Sequence, residues 1–167
     1  MTPSGPRAVL QIQFQVTAMT EHSLWRFSRA LHRAINERQP EDLEALLDEE
    51  VEWAIYGPID ILPHLGHRHG KAEIGAMWRT VHKRYSEMRH EVPFLVAEQD
   101  RVAASIRVFF RKRANGRIVQ FDIAAFYTLR DGRIATIHEI LDSFEVVQQI
   151  LERDIAAELI GTKSKTG

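Results

Sequence analysis

The chain predicts an α+β domain, with N-terminal helices packed on one face of a curved, mainly antiparallel sheet and a further helix closing the C-terminus. Three observations predict it. Apolar residues recur at helical spacing through most of the first half, and they alternate with polar residues from about 88 to 141. Between two of the alternating runs stands Asn115-Gly116, a strong short hairpin signal. At 167 residues, 44% of them hydrophobic, there is material for one domain able to bury its own core.

Residues 1–19 read as an N-terminal extension or an extra edge strand, because Leu10, Ile12, Phe14 and Val16 alternate with polar residues where a signal peptide would be continuously apolar. The domain proper spans 20–160. Leu24, Phe27, Leu31 and Ile35 form the stripe of a first helix over about 21–37, and Pro40 interrupts it. Pro40-Glu-Asp opens a second helix with Leu43, Leu46 and Leu47 inward. Val51, Trp53 and Ile55 alternate in a first strand that stops at Gly57-Pro58. A Pro-, Gly- and His-rich stretch covers 57–70. The third helix follows Gly70, with Ile74, Met77, Trp78, Val81 and Tyr85 on one face.

The rest is sheet. A strand over about 88–97 contains Pro93, which points to an edge or a bulge. Strands over 101–113 and 117–129 flank the Asn-Gly turn, Arg130-Asp-Gly132 makes the next, and the last strand runs 133–141. Asp142 with Glu145 reads as a capping box for a closing helix that carries Phe144, Val147, Ile150, Leu151 and Ile155. Residues 161–167 read as a frayed tail.

Composition excludes several chemistries. With no cysteine there is no thiolate catalysis and no cysteine-rich metal site. A net charge of −1 gives no electrostatic reason to expect nucleic acid or an anionic membrane. No apolar run approaches the ~18 residues of a transmembrane helix, so a cytoplasmic location is the default expectation. There is no Gly-rich phosphate loop, nucleotide fingerprint or serine elbow, and no cofactor is implied.

Alternation separates the two sheet faces. Val119, Phe121, Ile123, Ala125, Tyr127 and Leu129 mark the core face of one long strand, and Val102, Ala104, Ile106, Val108 and Phe110 that of its partner. On the last strand Ala135, Ile137 and Leu141 share a register, and Glu139 sits in it. A carboxylate on an apolar face must be paired, protonated or functional, since burying it unpaired costs several kcal/mol. The plainer alternatives are a bulge that turns Glu139 outward or an ion pair with a helix residue.

The element order, together with Asp131-Gly-Arg-Ile134 leading into Ile137-His-Glu-Ile-Leu-Asp142, resembles the nuclear transport factor 2-like superfamily, and more narrowly its SnoaL-like group, kin to polyketide cyclases, limonene epoxide hydrolase and ketosteroid isomerase. Asp42-Leu-Glu-Ala, Glu50-Val-Glu-Trp and Gly66-His-Arg-His-Gly70 support it, over about residues 21–150. The resemblance implies a cone-shaped fold around one apolar pocket, in a homodimer. It matches the epoxide hydrolase's final-strand aspartate to Glu139, but places that enzyme's arginine and other aspartate on Ile106 and Val108. The isomerase's base falls on Ile55, its proton-donating aspartate on Ala125 and its helix-one tyrosine near Ala34. Neither catalytic set is present. The implied pocket is lined by Trp53, Ile55, Ile106, Val108, Phe121, Ile123, Ala125 and Ile137, with Trp78 and His82 closing it. Glu139 is its acid and His67 its acid/base partner at the mouth.

Other motifs have plainer readings. His67-Arg-His69 with Glu73 imitates a two-histidine, one-glutamate metal spacing, and His64 could join it, yet solvated loop histidines are commoner and no metal site is assigned. The basic tip Arg111-Lys-Arg113 with Arg117 lacks the aromatics of a nucleic-acid platform. The expectation is a small enzyme that moves protons on a modest hydrophobic metabolite, as an isomerase, cyclase or hydrolase. The alternative is a non-catalytic ligand-binding or assembly module of the same fold.

Overall fold

The computed structural model describes residues 40–162, together with Arg33. Apart from Arg33, the helix expected over 21–37 lies outside the described residues, as does the alternating segment 9–16. Those described fold as α1 (Pro40–Leu46), β1 (Leu47–Tyr56), β2 (Gly66–His69), α2 (Gly70–Arg84), β3 (Tyr85–Glu98), β4 (Arg101–Lys112), β5 (Ile118–Arg130), β6 (Arg133–Leu141), α3 (Ser143–Leu151) and α4 (Ile155–Thr162). Six strands form one sheet in the order β2-β1-β6-β5-β4-β3. Consecutive strands from β3 to β6 pair antiparallel, whereas β1 lies parallel to β6.

The expected alternation holds along β4 and β5: Val102, Ala104, Ile106, Val108 and Phe110 are buried on β4, as are Val119, Ile123, Ala125, Tyr127 and Leu129 on β5. Their neighbours on the other face are mostly exposed. The helix α2 lies over the core face against β1 and β2 and buries Ile74, Met77, Trp78 and Val81. It starts at Gly70, whose φ of +72° disfavours any residue with a Cβ. The Glu73 carboxylate accepts from the His69 backbone N–H at 2.9 Å and caps the turn.

Several boundaries differ from expectation. Leu47 and Tyr85 are buried as expected, but each belongs to a strand rather than to the helix before it. β3 is an edge strand whose pairing slips between Glu91 and Phe94, so Pro93 marks an edge and a bulge at once. The strand β2 was not expected; four residues that begin with a glycine, include two histidines and run into Gly70 carry no alternating signal.

The closing helix is broken in two. Glu152 takes a left-handed conformation, φ 58°, and its carboxylate gathers Lys112, Asn115 and Arg117 from the β4–β5 hairpin. These contacts pull it well below the ordinary carboxylate range, to about 2. On α3, Phe144 and Leu151 are exposed, against expectation, and Val146 and Val147 are the buried pair. Gly161 and Thr162 complete α4, and 163–167 lie outside the described residues. Gln149 of α3 exchanges hydrogen bonds of 2.8 and 2.7 Å with the Gln120 backbone, covering the end of β5 that has no β6 partner.

Asp142 caps α3 as expected, its Oδ1 accepting from the Phe144 and Glu145 backbone N–H groups at 3.1 Å each. The box is half closed, because the Glu145 side chain reaches Gln149 instead. Asp142→Ala is expected to cost about 1 kcal/mol in urea denaturation. An unchanged midpoint would show that packing alone holds α3.

Candidate active site

The core face of β6 presents Ile137, Glu139 and Leu141 to a cavity of about 70 Å³, several times the ~10–15 Å³ that one water requires. Glu139 is 7% exposed. It is held in register on both sides, opposite Ile55 of β1 and Ala125 of β5. The pairing slips lie elsewhere, at Leu47/Glu52 and Thr128/Leu129, so no bulge turns the carboxyl outward. No ion pair to Glu139 exists among the described residues.

Burial pushes the Glu139 carboxyl from its ordinary 4.5 up to about 7. The Trp53 indole N–H beside it pulls the other way, short of a fully formed hydrogen bond. Near neutral pH the group is divided between acid and carboxylate, the state that suits a group giving and taking protons. Tyr127, buried on β5, is pushed well above its ordinary value by burial and then by the Glu139 charge, so its hydroxyl stays protonated.

Of the expected lining, Trp53, Ile55, Trp78, Ile106, Phe121, Ile123, Ile137 and Glu139 meet at the cavity. Trp53 and Trp78 pack edge to face, their ring centres 6.0 Å apart. Val108 and Ala125 lie on the same face but are sealed beneath their neighbours and touch no cavity space. His82 stands behind Trp78, ring centres 5.9 Å apart, half-buried outside the lining.

His67 is a correction. Pairing of β2 with β1 sets it opposite Ala54, on the outer face, where it is exposed and packs edge-on against Tyr56 at 5.9 Å. It cannot share a proton with Glu139. The cavity's histidines are His64, from the loop after β1, and His90 of β3, both buried. Neither has a sequence signal: His64 sits in an irregular loop, and His90 precedes the bulge that upsets alternation in β3. Burial lowers His64 from 6.5 to about 4, helped by the Arg84 and Arg68 charges, so its imidazole is neutral at physiological pH. The three loop histidines do not converge. His64 points inward, His67 outward, and His69 pairs with Glu50 at 3.0 Å. Among the described residues no group of three or more His, Asp or Glu side chains is placed to hold a metal ion. No helix among them is long and apolar enough to cross a membrane.

A curved, mostly antiparallel sheet with helices on its core face is the cone-shaped fold of the nuclear transport factor 2-like class. Within it this chain belongs to the SnoaL-like domain family, which matches residues 28–137. A Rhodopseudomonas palustris protein provisionally named an isomerase is 38% identical, over 80% of this chain and 99% of its own, with a TM-score of 0.71. A nuclear transport factor 2-like protein of unknown function from Burkholderia pseudomallei is 21% identical over 77% of this chain and 97% of its own, TM-score 0.70. An epoxide hydrolase of the limonene type from M. tuberculosis shares the fold at 15% identity, covering 86% and 98%, with a TM-score of 0.65. No curated protein matches the sequence at a significant level.

Proposed function

We propose that the chain is a small-molecule enzyme that moves a proton on a modest hydrophobic substrate, with Glu139 as the general acid or base. One observation carries this reading: a carboxyl buried in an apolar cavity, in register between Ile55 and Ala125, with no cationic partner among the described residues. A structural carboxylate would be paired or solvated, and this one retains a proton near neutrality instead. The provisional isomerase at 38% identity agrees with it.

Proton transfer can be tested before the substrate is identified. In D₂O, a carboxylate that removes a hydrogen from carbon beside a carbonyl, exchanges it with solvent and returns deuterium leaves a label that NMR reads. Small ketones, cyclohexanone among them, should exchange faster with the protein than in buffer. No acceleration across such a panel would favour the ligand-binding module instead.

We further propose a homodimer through the outer sheet face. Tyr56, Phe126 and Ile140 are each about half exposed there. They are contiguous, since Ile140 lies between Tyr56 of β1 and Ala124 of β5, and Phe126 pairs with His138. Apolar side chains clustered on an open sheet face mark an interaction surface. Phe126→Glu is expected to convert dimer to monomer in sedimentation at micromolar concentration. A wild-type monomer, or a variant that still dimerises, would rule this face out.

A further inference from the structure

We propose that the cavity recognises an uncharged ligand through an acceptor oxygen, for which the indole N–H groups of Trp53 and Trp78 and the imidazole of His64 are the hydrogen-bonding partners; this rests on the cavity being the functional site, not on catalysis there. The three side chains come from β1, α2 and the loop between β1 and β2, and all line the same cavity. They are 4%, 8% and 9% exposed. Among the described residues, the Trp53 Nε1, Trp78 Nε1 and His64 Nδ1 atoms are buried with no hydrogen-bond partner, Trp53 Nε1 standing beside the Glu139 carboxyl without completing a bond to it. Buried polar atoms in native proteins are nearly always satisfied, so three orphans around one cavity call for a partner that occupies it.

The chemistry of that partner follows from the donors. An indole nitrogen only donates, so what meets it must accept. No lysine or arginine lines the cavity among the described residues, and its one acidic group is Glu139. A carboxylate or phosphate would therefore sit in apolar surroundings against a carboxyl with no counter-charge, whereas a carbonyl, ether or hydroxyl oxygen brings the acceptor without the charge. The neutral state of His64 fits the same ligand, because that imidazole donates or accepts without bringing charge of its own.

His64 and Met77 also line an open groove with Pro63, His67, Arg68 and Glu73. His64 and Met77 thus border both the open groove and the cavity. The Arg68 guanidinium in that groove is tied to the Pro63 and His67 carbonyls. Its charge lies outside the cavity lining.

Three probes of one shape test the proposal: cyclohexanone, methylenecyclohexane and cyclohexanecarboxylate, titrated into the full-length protein and followed by the tryptophan Nε1–H signals in NMR. Cyclohexanone should bind about tenfold more tightly than methylenecyclohexane and shift the Trp53 and Trp78 signals, with cyclohexanecarboxylate weakest. Trp78→Phe keeps the aromatic body and removes the donor, so it should erase about tenfold of the cyclohexanone affinity and leave methylenecyclohexane unchanged. His64→Leu provides a second variant should Trp78→Phe fail to fold. Equal affinity for ketone and alkene, tighter carboxylate binding, or no binding of any probe at millimolar concentration would overturn the proposal. Deuterium exchange by the wild type separates it from the enzymatic reading: selective binding without exchange in the wild-type protein leaves recognition standing and removes catalysis, whereas Glu139→Gln should keep the selective binding as exchange is lost.

Discussion

Glu139→Gln is expected to lower ketone deuterium exchange by about 10²–10⁴-fold, the usual contribution of a positioned general base, while leaving the cavity's shape and its ligands in place. The amide matches the carboxyl in size and cannot take a proton from carbon. In the wild type, exchange should rise with pH through about 7 and then level off, because only the ionised carboxyl abstracts and burial has moved its titration there. A wild-type profile that inflects near 4.5, or a variant that exchanges at the wild-type rate, would remove Glu139 from the chemistry.

The same substitution should make the protein more stable in alkaline solution. Glu139 titrates near 7 when folded and near 4.5 when unfolded, so between those values the unfolded chain gives up a proton that the native state retains. Stability is therefore lost as pH rises from 4.5 to 7, by about 3 kcal/mol at ~1.4 kcal/mol per pH unit, and stays lost above. His64 has the opposite slope. It is about 4 when folded and 6.5 when unfolded, so its contribution is whole above 6.5 and disappears as pH falls towards 4. Between 4.5 and 6.5 the two nearly cancel. Urea unfolding of Glu139→Gln should match the wild type at pH 4, exceed it by up to about 3 kcal/mol at pH 8, and uncover the His64 slope between. A difference that does not vary with pH would mean that Glu139 is neither buried nor shifted.

What could be read from the sequence follows from how each element is specified. Glu139 was legible because an apolar alternation of period two leaves a polar residue on the wrong face conspicuous, and β6 has no bulge near it to upset the count. Trp53, Ile55, Ile106, Phe121, Ile123 and Ile137 were legible for the same reason. His67 misled because its face depends on β2, a four-residue strand whose register comes from β1 rather than from any pattern of its own. His64 was hidden in an irregular loop, where periodicity carries no information and only the fold decides which side chain turns inward. The break in the closing helix was equally hidden. Glu152 is neither glycine nor proline, and its left-handed turn depends on Lys112, Asn115 and Arg117, whose cluster taken alone reads as an ordinary solvated hairpin tip.

The parallel pairing of β1 with β6 also bears on how the protein reaches its native state. Tyr56 and His138, whose side chains touch across that seam, lie 82 residues apart in sequence. The hairpins from β3 to β6 join neighbours and close small loops, while the β1–β6 seam must close the whole chain between them, the kind of non-local contact that slows folding. Glu139 meets Ile55 and Trp53 only across that seam. A nascent chain released before β6 is made therefore has no acid in a cavity at all, and on refolding, the environment that raises the Glu139 proton affinity is expected to arrive with the slowest phase, after the meander has already formed.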